Sequence, residues 1–413
     1  MDVPNSGFGA WPRRLRCHPR AATLALVVAL HCVPLRKSIA EDRVDFKTLF
    51  YNEGNGRMSV TSPSLQWETD LTQSLNLYGI HPRHGRVSRD VMTAADLYAR
   101  MMRSVLSSTG ESRRFAFQAM GTDNEIAFST SSSPRARDFQ EAVLKWVAGF
   151  EATYSRFIPE SLVGRIHREA GIRPVEIDAE AAEIFALCDV FHWRTFGVFD
   201  PTAGVLTALW DYRDAGAKPP SDAAVEAARA LVGWSRVVRG PGSIFLPEPG
   251  MRLDLGGIGK EYAVDRLARL ADAHGIRDYV ISLGRDIRVR GRSPSGDPWR
   301  LGLEHPGQPD RCWGGVVIED AALCCSGDYR RYFEADGQRY GHIVDPRTGR
   351  PADRGCRAAW VIAPTCVEAG ILSTGSPRIW TSSSTPTKRR SRSFRTRSMP
   401  SCRKWGSPRC RRA

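Results

Sequence analysis

Apolar positions between residues 113 and 374 switch repeatedly between two spacings. Phe139, Val143, Trp146, Val147 and Phe150 recur every three or four residues and predict a helix over 138–154. Residues 179–195 read as a second helix, and 366–374 open another. Residues 114–128 alternate and read as strand, turn and strand around Gly121. Short strands are predicted over 279–283, 299–303, 321–327, 338–344 and 358–363. Nearly every strand runs into a polar loop. Strands and helices in this order predict an α+β, mixed α/β fold with its site built from strand-end loops.

The stretch the pattern centres on is 252–270, RLDLGGIGKEYAVDRLARL. It predicts a short strand ending on Asp254, a turn with Gly256, Gly257 and Gly259, then a helix opening near Lys260. Glycines let a backbone approach a phosphate closely, and helix-start N–H groups point at it. Lys260 adds a point charge. Asp254 suits a metal or a ligand hydroxyl. The stretch is neither a Walker A loop nor a GxGxxG turn, because Asp254 stands where the first needs Gly and Glu261 follows the lysine. A Gly-rich turn without a ligand is the plainer alternative.

Both ends of the chain depart from this pattern. Arg13, Arg14, Arg16 and Arg20 precede an apolar run over 21–33, and Ser38-Ile39-Ala40 follows. That order predicts a signal segment over 1–40 and an exported protein, periplasmic or associated with the inner membrane. The alternative is a start site called too far upstream, with a cytoplasmic protein and the run a buried helix. Residues 41–110 carry strand-like stretches with turns at Asn55-Gly56 and Ser62-Pro63, too few to close a barrel, and an amphipathic helix near 94–105. They are assigned no function. Residues 111–374 form the main domain. From 375 to 413 the Arg/Ser/Pro composition cannot bury a core and reads as a basic disordered tail, or as a frameshifted end.

Composition refines this division. The 413 residues are 42% hydrophobic and 25% charged, as in globular proteins. The net charge of +14 would suggest nucleic acid, but twelve Lys and Arg lie in the tail. No nucleic-acid partner is expected. The ten cysteines form no CxxC pair and no zinc-like spacing.

Eight short motifs follow one another through the main domain. They are AMGT (119–122), YSRFIPES (154–161), FDPT (199–202), DLGGIGKEYAVD (254–265), SLGRD (282–286), SGDY (326–329), HIVDPRTG (342–349) and EAGILST (368–374). In this order they resemble the FAD:protein FMN transferase family, also called ApbE. The resemblance covers about residues 115–374. It implies a magnesium-dependent enzyme that splits the FAD pyrophosphate and passes FMN to a Thr or Ser hydroxyl of an acceptor protein. Redox subunits at the membrane are the acceptors it implies. Two alternatives stay open: an FAD pyrophosphatase yielding FMN and AMP, and a degenerate copy that binds flavin without turnover.

By the same resemblance, Asp254 and Lys260 contact FAD. Met120, Phe157, Val198, Phe199 and Asp200 line the flavin or adenine pockets, and the Ile343 backbone touches FAD. Plain core packing is the alternative for Met120, Phe157 and Phe199. His342 is the natural base for the acceptor hydroxyl. Asp345 completes that constellation, or serves only as a tight turn before Pro346. For magnesium, the Gly257 carbonyl and Thr374 are the implied ligands. Gly370 stands where much of the family has Asp, which removes a carboxylate one helical turn before Thr374. Glu368 or Asp328 is expected to compensate. Arg285 likewise replaces a usual glycine.

Overall fold

The strand Tyr279–Leu283 is apolar except at Ser282 and buried throughout, because it is covered on both faces. Tyr279, Ile281 and Leu283 enter one core and Val280 enters another. The computed structural model describes residues 25–31, 48–51, 93–210, 212, 217–308, 311–352 and 356–373. Its main feature is a nine-stranded sheet. The strands lie in the order Thr48–Tyr51, Ala25–His31, Cys356–Ala363, Ala322–Gly327, Asp286–Arg290, Tyr279–Leu283, Thr122–Ser129, Ser112–Ala119 and Ser107–Thr109. Each neighbouring pair is antiparallel.

Period-two alternation sorts the side chains. Ile126 and Phe128 share one core with Cys324 and Val361. Ala127, Leu323 and Trp360 face the other. The helices Ser133–Tyr154, Gly259–Ala273 and Cys366–Ser373 supply the first core, through Phe139, Val147, Tyr262, Leu267 and Ala369 among others. The second core is closed by the hairpin of Trp299–Glu304 and Cys312–Ile318, with Trp299, Leu301 and Leu303 inside. Each fully buried side chain of this size contributes about 1.5–3 kcal/mol.

The first long helix begins earlier than its apolar spacing predicts. The Ser132 side chain accepts from the Arg135 N–H, and Pro134 sits in the first turn, so capping rather than periodicity sets the start. Residues 252–254 form no ladder strand. Arg252 makes a single parallel bridge to Ala203. The stretch 338–344 is likewise not one strand. It divides into Gln338–Gly341 and Val344–Asp345, which pair with different partners. The helices Leu162–Arg168 and Asp222–Ala230 are not among the elements the sequence pattern predicts; the second buries only Val225.

Near the N-terminus, Ala25–His31 is a strand bonded to Cys356–Ala363, not the alternative helix. The helix expected near 94–105 is Ala94–Met101, opened by a Thr93/Asp96 capping box. Among the described residues no helix is long and apolar enough to cross a membrane. Most of 1–92 and all of 374–413, including Thr374 and the basic tail, lie outside the described residues.

Candidate active site

The Gly-rich loop is held by its own carboxylate. Asp254 Oδ1 accepts the Gly256 N–H at 2.8 Å, while Oδ2 receives Thr207 Oγ1 at 2.9 Å and Arg156 Nη1 at 2.7 Å. The Asp254 N–H donates to the Pro201 carbonyl at 2.7 Å, and the Leu253 N–H to His167 Nε2 at 2.8 Å. His167 therefore presents an unprotonated nitrogen. Burial, then Arg252, pushes its pKa down to about 4. None of Gly256, Gly257 and Gly259 has a positive φ. Gly257 is needed for space, since a Cβ there would lie 3.1 Å from Phe199 Cε2.

Phe199 is buried and meets Phe191 edge-on at 5.2 Å. The next residue, Asp200, holds the turn below it. One oxygen accepts from the Thr202 N–H and hydroxyl, the other from the Trp234 N–H. Val198 is half-buried beside this turn. Phe157 does not pack in the core. It is 58% exposed, with the Arg156 guanidinium 4.8 Å over its ring. Met120 occupies the hairpin tip with φ 51°, a left-handed backbone uncommon outside glycine.

Lys260 opens the central helix and donates to the Gly256 carbonyl at 3.3 Å. Its ammonium lies 3.8 Å from the buried Asp286. Burial opposes its charge, but Glu261 and Asp286 outweigh it and hold the lysine above its ordinary pKa. Burial, then Glu261, pushes Asp286 well above the usual carboxylate range. Glu261 is only 7% exposed, and its Oε2 has no hydrogen-bond partner among the described residues. Across from it lies Gly370, whose carbonyl accepts from Ser373. A Cβ on Gly370 would fall 3.0 Å from Glu261 Cγ.

The His342 backbone N–H donates to the Arg331 carbonyl, and its ring meets that of Tyr212 edge-on at 5.8 Å. Burial first, then Arg331 and Lys260, lowers its pKa to about 4, so the imidazole is neutral near pH 7. The Ile343 carbonyl receives the Ala352 N–H at 2.8 Å. Asp345 is engaged in its turn: Arg347 grips both carboxylate oxygens, and the Asp345 carbonyl accepts the Gly349 N–H. That geometry favours the turn role for Asp345 over catalysis.

Lys260 and Asp254 both act electrostatically on His342, the first lowering and the second raising its pKa. Of the two residues expected to compensate for the lost carboxylate, Glu368 is exposed on its helix, and Asp328 lies 3.8 Å from Arg357 with its Oδ1 buried and without a hydrogen-bond partner among the described residues. Among the described residues no group of three or more His, Cys, Asp or Glu forms a metal cluster. The unpartnered Glu261 oxygen is nevertheless suited to a cation, and sequence reasoning passed over it. It also passed over His167 and Thr207, which no motif marks.

The ApbE family profile matches residues 120–376. The chain is 30% identical over 266 residues to the FAD:protein FMN transferase of Salmonella typhimurium, spanning 62% of this chain and 76% of that one. It is 31% identical over 225 residues to the one from Vibrio cholerae, spanning 54% and 67%. Among solved structures, an ApbE protein from Thermotoga maritima superposes with a TM-score of 0.58 at 32% identity, covering 63% of this chain and 84% of that one. The flavin transferase ApbE from Vibrio cholerae gives 0.57 at 26% identity, covering 64% and 86%.

Proposed function

The chain belongs to the ApbE family, and from that premise we propose that it transfers FMN from FAD to a Thr or Ser hydroxyl of an acceptor protein, with magnesium required and AMP released. The observation that carries the proposal is the Gly-rich loop, shaped by Asp254 with Arg156 and Thr207 and with Lys260 bonded to the Gly256 carbonyl. Pyrophosphate cleavage calls for charge neutralisation and positioning more than for covalent help from the protein. Lys260 provides fixed positive charge where pyrophosphate oxygens would lie. Arg156 and Asp254 hold the loop in shape.

The acceptor hydroxyl oxygen bonds to the phosphorus of the FMN half. The bond from that phosphorus to the bridging oxygen breaks, and AMP leaves with that oxygen. His342 is unprotonated near neutral pH and can take the hydroxyl proton. Phe157, exposed beside Arg156, offers an aromatic face for a ring of FAD. Magnesium, when bound, adds positive charge at the pyrophosphate oxygens. By the family resemblance, the Gly257 carbonyl and the Thr374 hydroxyl would hold it. The export-like N-terminal pattern supports acceptors outside the cytoplasm, redox subunits at the membrane among them.

The test incubates the full chain with FAD and an acceptor protein offering exposed Thr or Ser, with magnesium or with EDTA, and quantifies AMP and acceptor-bound flavin by chromatography. Magnesium-dependent AMP formation that Lys260→Ala removes would support the reading. FAD bound without any AMP would contradict it and leave a flavin-binding protein.

A further inference from the structure

We propose that Glu261 supplies the acidic oxygen of the divalent-cation site, from the opposite helix to the one where a residue-370 carboxylate would stand. The proposal rests on the flavin-transferase reading only for the cation being magnesium. The helices Gly259–Ala273 and Cys366–Ser373 pack face to face, with Glu261 on the first and Gly370 on the second. A Cβ on residue 370 would meet Glu261 Cγ at 3.0 Å and Cδ at 3.5 Å. The Glu261 side chain thus fills the volume that a side chain at 370 would need. Loss of an acid at 370 and presence of one at 261 leave the carboxylate in nearly the same place.

Two further facts point to a cation rather than to space-filling. Glu261 is 7% exposed and its Oε2 has no hydrogen-bond partner among the described residues. A buried carboxylate without a partner is unfavourable unless it is neutralised. Lys260 is the neighbouring base, but it also faces the buried Asp286 at 3.8 Å. Its ammonium thus acts on both acids. Gly257, whose carbonyl the family resemblance assigns to magnesium, lies in the loop that leads into the helix carrying Glu261. A hard cation with oxygen ligands suits such a set.

The test uses the purified full chain without FAD, with Mn²⁺ as the probe and binding followed by EPR and calorimetry. Wild type should bind Mn²⁺, and magnesium should displace it. Glu261→Gln keeps the shape and removes the charge. It should weaken Mn²⁺ by about tenfold or more, with no loss of melting temperature in EDTA. Gly370→Asp alone should not tighten binding, because it crowds Glu261 with a second acid. The pair Glu261→Gly with Gly370→Asp should recover wild-type affinity, by returning the carboxylate to the other helix. Equal Mn²⁺ affinity in wild type and Glu261→Gln would overturn the proposal. So would a wild type that binds no Mn²⁺, or a paired variant that folds but stays weak. FAD binding in EDTA, read by flavin fluorescence, separates the two ideas. FAD bound alongside a Glu261-independent metal leaves the flavin reading standing without this proposal. A Glu261-dependent metal site without FAD binding does the reverse.

Discussion

Arg156 Nη1 lies 2.7 Å from Asp254 Oδ2, which ties the polar turn after the first long helix to the Gly-rich loop. Thr207 bonds the same carboxylate oxygen and Arg156 Nη1 as well, at 2.9 and 2.5 Å. Three segments distant in sequence therefore share one polar junction. Asp254 orders the loop first, and any contact with FAD depends on that order.

Arg156→Ala leaves Asp254 half-buried with one fewer donor. We predict a stability loss of about 1–3 kcal/mol and a fall in kcat/KM of about 10²-fold, because the loop shifts under the pyrophosphate. Thermal melts and AMP release check both. Unchanged turnover would mean that the loop keeps its shape without the ion pair.

His342 is held neutral down to about pH 4 by burial, Arg331 and Lys260. The acid limb of kcat/KM governed by free-enzyme His342 should therefore fall well below the usual histidine range. His342→Asn should lower turnover by about 10²–10⁴-fold with FAD affinity kept. An acid limb near 6.5 that persists in His342→Asn would assign the base to another residue.

His167 gives a separate pH effect, on stability. Its folded pKa is lowered from 6.5 to about 4, so the unfolded chain binds the proton more readily between those values. The contribution is fully present above 6.5 and is lost as pH falls towards 4. It amounts to something on the order of 2 kcal/mol. His167→Gln keeps an acceptor for the Leu253 N–H and does not titrate. Denaturant melts from pH 7 to 4 should show a shallower decline in that variant, and an identical decline would refute the assignment.

Phe157 carries a prediction with the opposite profile. At 58% exposure it contributes little to the core. Phe157→Ala should leave the melting temperature nearly unchanged and weaken FAD binding by about 1–3 kcal/mol, the scale of aromatic stacking on a base. A melting drop without loss of FAD affinity would return Phe157 to a packing role.

Much of this site is legible in the sequence, for physical reasons that differ by residue. Lys260 and Asp254 stand out because a glycine cluster isolates them between an apolar run and a helical repeat. His342 stands out as a titratable group near neutrality within a polar loop. Much of the central sheet is legible because its strands alternate between two cores, but Ala25–His31, Asp286–Arg290 and Ser107–Thr109 are not among the predicted strands. Glu261 is not, since in sequence it is one more charged residue in a helix. Only Gly370, far along the chain, reveals what it fills. His167 and Thr207 act on the loop from a distance that no local pattern encodes. For Asp345 the sequence leaves catalysis and turn open together, and the Arg347 grip favours the turn.

The central claim is transfer of FMN to a protein hydroxyl, and the fate of the FMN half tests it most directly. The full chain would be mixed with FAD, magnesium and a membrane redox subunit offering exposed Thr or Ser. Free AMP, free FMN and flavin covalently held by the acceptor would be quantified together, the last by in-gel fluorescence and peptide mass spectrometry. Transfer predicts AMP equal to acceptor-bound flavin, attached through a phosphoester at Thr or Ser, with little free FMN, and loss of both products in His342→Asn. Equal amounts of free AMP and free FMN, with no flavin on any acceptor offered, would contradict transfer and assign the chain to FAD hydrolysis.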